Sequence, residues 1–162
     1  MNKQDVLRRI PKDFSLLPDM VIEKNDAGVV IAAYFEKDRV YDGEYVTYFL
    51  DGSIESVCFY REGALHGPSK IFNESGILLS ETEYLFGKKE GKVTRRYLSG
   101  TLSAIERFKE GEKEGKQEYF GEDGSLQTLL HFHLGKLDGK AILYYPSGLV
   151  KREEMFKEGK PL

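Results

Sequence analysis

One spacing constrains this chain more than any other feature: glycine recurs every 24 residues along most of its length. The first series is Gly28, Gly52, Gly76, Gly100, Gly124 and Gly148. The second series is Gly63, Gly87, Gly111, Gly135 and Gly159, with Arg39 in the place of its first member. The third series is Gly43, Gly67, Gly91, Gly115 and Gly139. A fixed period of this length indicates an array of structural repeats, and only Gly121 falls outside it.

The residues between the glycines carry a β-strand pattern. A large apolar residue stands two places after each first-series glycine, and in most units a small residue stands four places after it and an aromatic one eight places after it. The aromatic position holds Tyr60, Tyr84, Phe108, Phe132 and Phe156. Side chains alternate along a strand, so these three positions are predicted to share one face. We interpret the five aromatic residues and the glycines as structural elements of the repeat.

The connections predict hairpins. Asp-Gly or Ser-Gly stands at Gly52, Gly76, Gly100, Gly124 and Gly148, a pair that favours a tight turn. The other connection, for example "KEGEKEG", predicts a longer polar hairpin. Each unit is then a β-hairpin joined to the next by another hairpin. The predicted fold is all-β: an elongated, twisted antiparallel meander of roughly ten or eleven strands.

Two segments carry a family resemblance. "DGSIESVCFYREGALHGPSKIFNESG" and "SGTLSAIERFKEGEKEGKQEYFGEDG" resemble MORN repeats (membrane occupation and recognition nexus), in particular the bacterial variant. The resemblance covers residues 28–162, about five and a half units. It implies a scaffold that binds proteins, or, for the bacterial variant, the antitoxin half of a toxin–antitoxin pair. The family name also suggests binding of membrane lipid headgroups.

The two ends of the chain differ from the repeat. Residues 1–27 lie outside it and are predicted to form a short cap, helical or irregular, with Pro11 ending any helix. The cap is expected to pack on the strand face that carries Phe35 and Phe59. At the other end, the last strand is predicted to be an exposed edge, through which two copies could form a dimer.

Composition excludes several classes of protein. The net charge of −3 leaves no footprint for nucleic acid and argues against binding to anionic lipid. Cys58 is the only cysteine, so there is neither an intrachain disulfide nor a cysteine-rich zinc site. The first residues lack the pattern of a signal peptide, and no apolar run approaches the length of a membrane helix. A cytoplasmic location is therefore expected.

No enzymatic or cofactor chemistry is predicted. The stretch "GEKEGK" at residues 111–116 lacks the serine or threonine of a phosphate loop and recurs as a hairpin. His131 and His133 are two residues apart, but no further ligands complete a metal site. Cys58 has no neighbouring histidine to act as a base. We expect no catalytic residue, no bound metal and no cofactor.

The predicted function is binding of another protein. In "KVTRRYL", Arg95 and Arg96 replace repeat residues, and Tyr97 follows them. Arginine and tyrosine are enriched at binding hot spots, so these three residues, with His131 and His133, are the candidate contacts. The partner would engage the face of the sheet or its C-terminal edge. The alternative is a module that binds phosphoinositide headgroups at a membrane.

Overall fold

The computed structural model describes residues 18–162 and places them in one antiparallel sheet of 15 strands. The strands are β1 (Met20–Lys24), β2 (Val30–Lys37), β3 (Val40–Tyr48), β4 (Ile54–Arg61), β5 (Ala64–Leu65), β6 (Gly67–Phe72), β7 (Leu78–Leu85), β8 (Lys88–Arg96), β9 (Leu102–Lys109), β10 (Glu112–Lys113), β11 (Gly115–Phe120), β12 (Leu126–His133), β13 (Lys136–Tyr144), β14 (Val150–Lys157) and β15 (Lys160–Pro161). They follow one another across the sheet in chain order, and β5 and β10 are short pieces that pair with β4 and β9.

The predicted all-β meander is confirmed. Eleven long strands lie between β1 and β15, and the described residues contain no helix. Strand β1 lies within the segment assigned to the cap by sequence, and it extends the sheet by pairing Ile22 with Ala33. The helix predicted before Pro11 lies outside the described residues.

The two kinds of turn differ from expectation. At the Asp-Gly connection, the N–H of Gly52 donates to the carbonyl of Phe49 at 2.9 Å, which closes a three-residue loop. At the other connection, Arg61 pairs directly with Ala64, which leaves Glu62 and Gly63 as a two-residue turn. Both have positive φ, 52° and 80°, as the type I′ turn requires. The connection predicted to be longer therefore closes in the shorter turn.

A β-bulge follows the three-residue loop in every unit. Thr47 pairs with Ser56 and Tyr48 with Ile54, so Glu55 is an extra residue on its strand. The extra residues of the units are Ile31, Glu55, Leu79, Ser103, Gln127 and Lys151. The bulge interrupts the alternation of side chains between the two faces of the sheet. Ile54 therefore lies on the same face as Val57, whereas unbroken alternation would place it on the face of Ser56. The prediction that positions two, four and eight share a face is therefore wrong for position two.

The sheet has two faces, which we name by their residues. Face A carries, in the second unit, Ser56, Cys58, Tyr60, Leu65, Ser69 and Ile71, together with the equivalent residues 24 places apart. Face B carries Ile54, Val57, Phe59, Pro68, Lys70 and Phe72 and their equivalents. In the described part of the chain no helix or second sheet lies on either face. Side chains are therefore buried by their neighbours on the same face.

The aliphatic core lies on face B near the start of the sheet. Val46, Ile54 and Val57 are each at most 5% exposed, and Phe59 and Phe72 pack against them. Full burial of one such aliphatic side chain contributes about 1.5–3 kcal/mol. This cluster is the main apolar anchor of the first units.

The second glycine series links successive units. Gly87, in the two-residue turn of its unit, donates its N–H to the carbonyl of Leu65 in the unit before, at 2.7 Å. The same bond, 22 residues back along the chain, is made by Gly63, Gly87, Gly111, Gly135 and Gly159. All five have positive φ, which is inexpensive only for glycine. The 24-residue period thus produces a ladder of hydrogen bonds along one edge of the array.

Gly121, which no glycine series explains, lies at the start of a three-residue loop. Three other units hold an aromatic residue at this place, Phe49, Tyr97 and Tyr145, and two hold asparagine, Asn25 and Asn73. A Cβ on Gly121 would lie 2.5 Å from Gln127 Nε2 and 2.8 Å from Asp123 Oδ1. Asp123 Oδ1 in turn accepts a hydrogen bond from the N–H of Ser125 at 2.9 Å. Glycine therefore leaves room for the side chain that caps this loop.

Candidate binding surface on face A

Four tyrosines form a contact cluster on face A at the start of the sheet. Tyr34 and Tyr45 lie directly opposite each other on β2 and β3, and their rings stack at 4.9 Å between centroids. Tyr41 meets the Tyr34 ring edge-on at 5.2 Å and lies 5.3 Å from Tyr60. We call these four residues the tyrosine cluster. Aromatic pairs at such distances contribute about 0.5–1.5 kcal/mol beyond the area that they bury.

The tyrosine cluster is packed at its base and open above. Tyr41 is 37% exposed, and the other three are half-buried. Burial raises the pKa of Tyr34, Tyr45 and Tyr60, and the neighbouring phenols raise it further. These three phenols are therefore neutral at physiological pH. Tyrosine side chains combine an apolar ring with a polar hydroxyl and are enriched at the hot spots of protein interfaces.

An ionic network occupies the middle of face A. Glu106 is 6% exposed and receives Lys113 Nζ at 2.8 Å and Arg95 Nε at 2.9 Å. The Tyr119 hydroxyl lies 3.1 Å from the same carboxylate. Burial alone would raise the pKa of Glu106, but the hydrogen bonds from Lys113 and Arg95 outweigh burial and hold it below its usual value. A paired, ionised carboxylate is therefore fixed at this place.

Cations and aromatic rings alternate beside this network. Lys89 Nζ lies 5.0 Å from the centroid of the Phe108 ring. Lys113 Nζ lies 5.4 Å from that of Phe132. Both rings belong to the aromatic series that the sequence pattern identified, so part of that series contacts cations in addition to packing between strands.

The last units form a small apolar cleft on face A. Its volume is about 200 Å³. The apolar lining includes Leu130, Leu137, Leu143 and Phe156. Arg152 and Glu154 lie at the same cleft and pair with each other. Face A thus changes from tyrosines through an ionic network to aliphatic residues along the array.

The buried side chain of Gln117 makes hydrogen bonds to the backbone near the break between strands β10 and β11. It has 0% exposure, and its Oε1 accepts the N–H of Arg107 at 2.9 Å. Its Nε2 donates to the carbonyls of Arg107, Glu114 and Gly115 at 3.1–3.2 Å. The side chain thus replaces strand hydrogen bonds that the interruption removes.

The five residues predicted to contact a partner do not form one site. Arg95 lies on face A in the ionic network, whereas Arg96 turns to face B and donates to the carbonyl of Gly100 at 3.1 Å. Tyr97 donates its hydroxyl to the carbonyl of Phe120 at 2.7 Å, a bond between units. Adjacent strand residues point to opposite faces, which separates the two arginines.

The two histidines lie elsewhere and have separate partners. His131 Nδ1 lies 3.1 Å from the carbonyl of Lys140 on the adjacent strand. His133 Nδ1 lies 3.0 Å from Glu114 Oε1 near the two-residue turn. No group of three or more metal-ligand side chains occurs among residues 18–162. A role of either histidine in partner binding stays a prediction.

Sequence reasoning missed three members of the tyrosine cluster: Tyr34, Tyr41 and Tyr45. They hold positions six, thirteen and seventeen of their unit, where other units carry unrelated residues. The sequence signal was local clustering, since five of the ten tyrosines, these three with Tyr48 and Tyr60, fall within residues 34–60. Their contact depends on the pairing of β2, β3 and β4.

The fold and this surface define a β-hairpin repeat protein whose single open sheet presents two unlike faces. The family model of the MORN repeat variant matches residues 65–85 and 137–158. The two matches begin 72 residues apart, which is three repeat periods, so they fall at the same phase of the unit. The predicted resemblance to MORN repeats is confirmed at these two places. MORN repeats are in general non-catalytic modules that bind protein or lipid.

Other comparisons add little to the family match. No curated protein matches the chain. Among solved structures it is similar to a chain in the crystal structure of the GtfA/B complex bound to UDP and GlcNAc, at 15% identity and a TM-score of 0.27. The match covers 90% of this chain but only 25% of that one. Within residues 18–162 there is no helix able to cross a bilayer.

Proposed function

We propose that this chain is a non-catalytic module that binds a partner protein on face A, with the tyrosine cluster as its anchor. The observation that carries the proposal is the contact between four tyrosine rings on a sheet face that no other described element covers. Their packing against each other means that little side-chain entropy is lost when a partner binds.

The rest of face A extends the surface beyond the anchor. From β2 to β14 it crosses eleven long strands, or about 50 Å at the usual spacing. The ionic network offers fixed charges in the middle, and the cleft beside Phe156 offers an aliphatic end. Such a gradient suits one elongated protein partner that contacts several units.

The antitoxin role that the resemblance implies is a particular case of this function. The partner would then be a toxin protein, and binding along face A would cover its active surface. The C-terminal edge offers a second route, because β14 pairs with β15 only at Phe156 and Lys157. A second copy of the chain bound at that edge would give a dimer.

The experiment is affinity capture from the native lysate, followed by reconstitution with the purified partner. We compare the wild type with a Tyr41→Ala/Tyr60→Ala variant, an Arg95→Ala/Arg96→Ala variant and a Tyr145→Ala control. Tyr145 is 48% exposed and lies in a loop outside the cluster. Circular dichroism and thermal melting establish that each variant is folded.

The proposal expects one stoichiometric protein whose affinity falls at least about tenfold in the Tyr41/Tyr60 variant and not in the control. Full retention of the partner by that folded variant would overturn the use of face A. Binding of anionic vesicles, with no protein partner, would favour the lipid alternative. Sedimentation of the purified chain as a dimer would favour the edge contact.

A further inference from the structure

A row of basic side chains crosses face B in the second half of the sheet. Lys92 pairs with Arg107 across β8 and β9, and Lys116 pairs with His131 across β11 and β12. Arg107 Nη1 donates to the carbonyl of Lys116, and His131 Nδ1 lies 3.1 Å from that of Lys140. The five residues thus occupy five neighbouring strands. We call them the basic row.

The basic row keeps a positive balance after its own ion pairs are counted. Glu118 Oε2 lies 3.1 Å from Arg107 Nη1, and Glu118 Oε1 lies 2.8 Å from Lys116 Nζ. Glu153 pairs with Lys140 at 2.7 Å. Four permanent cations therefore face two carboxylates. Because Lys116 and Lys140 are 45% and 54% exposed, their ammonium groups remain accessible to a ligand.

An apolar strip runs beside the basic row on the same face. Its members are Leu102, Ile105, Phe120, Leu126, Leu129, Ile142 and Tyr144. All are half-buried except Ile142, which is 7% exposed, and no other described element covers them. A cationic row next to an apolar strip makes this half of face B amphipathic.

The first half of face B has a different character at the same positions. The positions equivalent to Lys92 and Arg107 are held there by Phe59, Pro68 and Glu83. At these positions of the described strands, basic residues therefore occur only after β7. The overall net charge of −3 conceals this local separation of charge.

We propose that the second half of face B binds an amphipathic helix of a partner protein, with acidic residues along the flank of its apolar stripe. Five strands at about 4.8 Å spacing make a row about 19 Å long. A helix of about 13 residues has this length, and its side chains recur every three to four residues, at about 5.4 Å. Glutamates on the helix flank would meet the basic row, and its leucines would cover the apolar strip.

This surface is separate from the tyrosine cluster, because it lies on the opposite face of the sheet and on other strands. A strand-like acidic segment fits less well, since its side chains on one face recur at about 6.7 Å. An amphipathic helix also presents a continuous row of apolar side chains, which can cover the apolar strip of face B. The proposal therefore stands or fails independently of binding on face A.

The test is fluorescence anisotropy with the purified chain and a labelled, end-capped helical peptide of about 14 residues. Leucines form one stripe of the peptide and glutamates flank it; a second peptide carries lysine in place of glutamate. The row variant is Lys92→Gln/Lys116→Gln/Lys140→Gln. The control variant, Lys37→Gln/Lys109→Gln/Lys136→Gln, loses the same charge at exposed sites near the two-residue turns.

The expected result is saturable binding of the acidic peptide that weakens with salt and falls about tenfold in the row variant. The control variant should bind as the wild type does, and the lysine peptide should not bind. Equal binding of the acidic peptide by both variants, or no binding at all, would overturn the proposal. So would binding of mixed phosphatidylcholine and phosphatidylserine vesicles without binding of the peptide, which would assign the row to lipid.

Discussion

Lys113 Nζ lies 2.8 Å from Glu106 Oε1 across the middle of face A, where the carboxylate is 6% exposed. The bond connects β9 to β10, next to the strand interruption. It joins two residue types that rarely share a buried place unless they are paired. Its energetic role can be measured directly.

Glu106→Gln should lower the free energy of unfolding at pH 7 by about 1–2 kcal/mol, since Lys113 and Arg95 lose an anion but stay partly hydrated. The pKa of Glu106 lies below its ordinary value of 4.5 in the fold, so its contribution is present above that pH and is lost as the pH falls through the folded pKa. Urea unfolding at pH 7 and in acid measures the difference. Exposed Glu55→Gln is the matched control, and equal losses in both variants would contradict a specific role for Glu106.

Gln117→Leu should destabilise the fold by about 1–3 kcal/mol, because the N–H of Arg107 loses its partner in a buried place. Leucine has a similar volume, so the loss reports hydrogen bonding more than packing. Thermal unfolding of this variant beside Gln127→Leu, at an exposed bulge residue, makes the measurement. An unchanged melting temperature for Gln117→Leu would show that water replaces the amide.

Arg39→Gly should stabilise the chain by about 1 kcal/mol, since Arg39 has a φ of 64° in the place that glycine holds in the other units. Gly87→Ala tests the reverse change. A Cβ there meets no atom within 4 Å, so its predicted loss of about 1 kcal/mol would come from the backbone alone. Chemical denaturation of both variants gives the values, and a loss of stability in Arg39→Gly would refute the assignment of strain to this turn.

The Cys58 thiol should react slowly with iodoacetamide at neutral pH. Burial raises its pKa to about 11, although a hydrogen bond with Tyr60 acts in the opposite direction. The reactive thiolate is therefore scarce at pH 7, and the rate should keep rising as the pH approaches 11. Alkylation rates measured across this range, with a free thiol peptide as control, check the prediction. A rate at pH 7 close to that of the peptide would contradict it.

The hairpin architecture could be predicted from the sequence because each repeat unit carries the same turn and strand signals. One Asp-Gly pair is a weak turn signal, whereas the period that links Gly52 to Gly148 requires the same turn in each unit. The aromatic series from Tyr60 to Phe156 likewise marked one strand position. Sequence rules for single turns and strands were sufficient to predict the fold wherever the units carry the same residue types.

The bulge at Glu55 and the partners of Gln117 could not be predicted in the same way. An extra residue in a ladder becomes visible only when the strand pairing is known, because a strict alternation fits the sequence equally well. The bulge then decides which face Ile54 occupies. For the same reason, Arg95 and Arg96 looked like one patch in the sequence but lie on opposite faces.

The ladder of glycine N–H groups along the two-residue turns has a kinetic consequence. Gly87 bonds a carbonyl only 22 residues back, and the strand ladders join residues no further apart than Gly43 and Tyr60. Most sheet proteins fold slowly because distant segments must meet first, and this sheet has no such requirement. Each new hairpin can add to the one before it as the chain leaves the ribosome, so refolding should be fast for an all-β protein, which stopped-flow measurements can test.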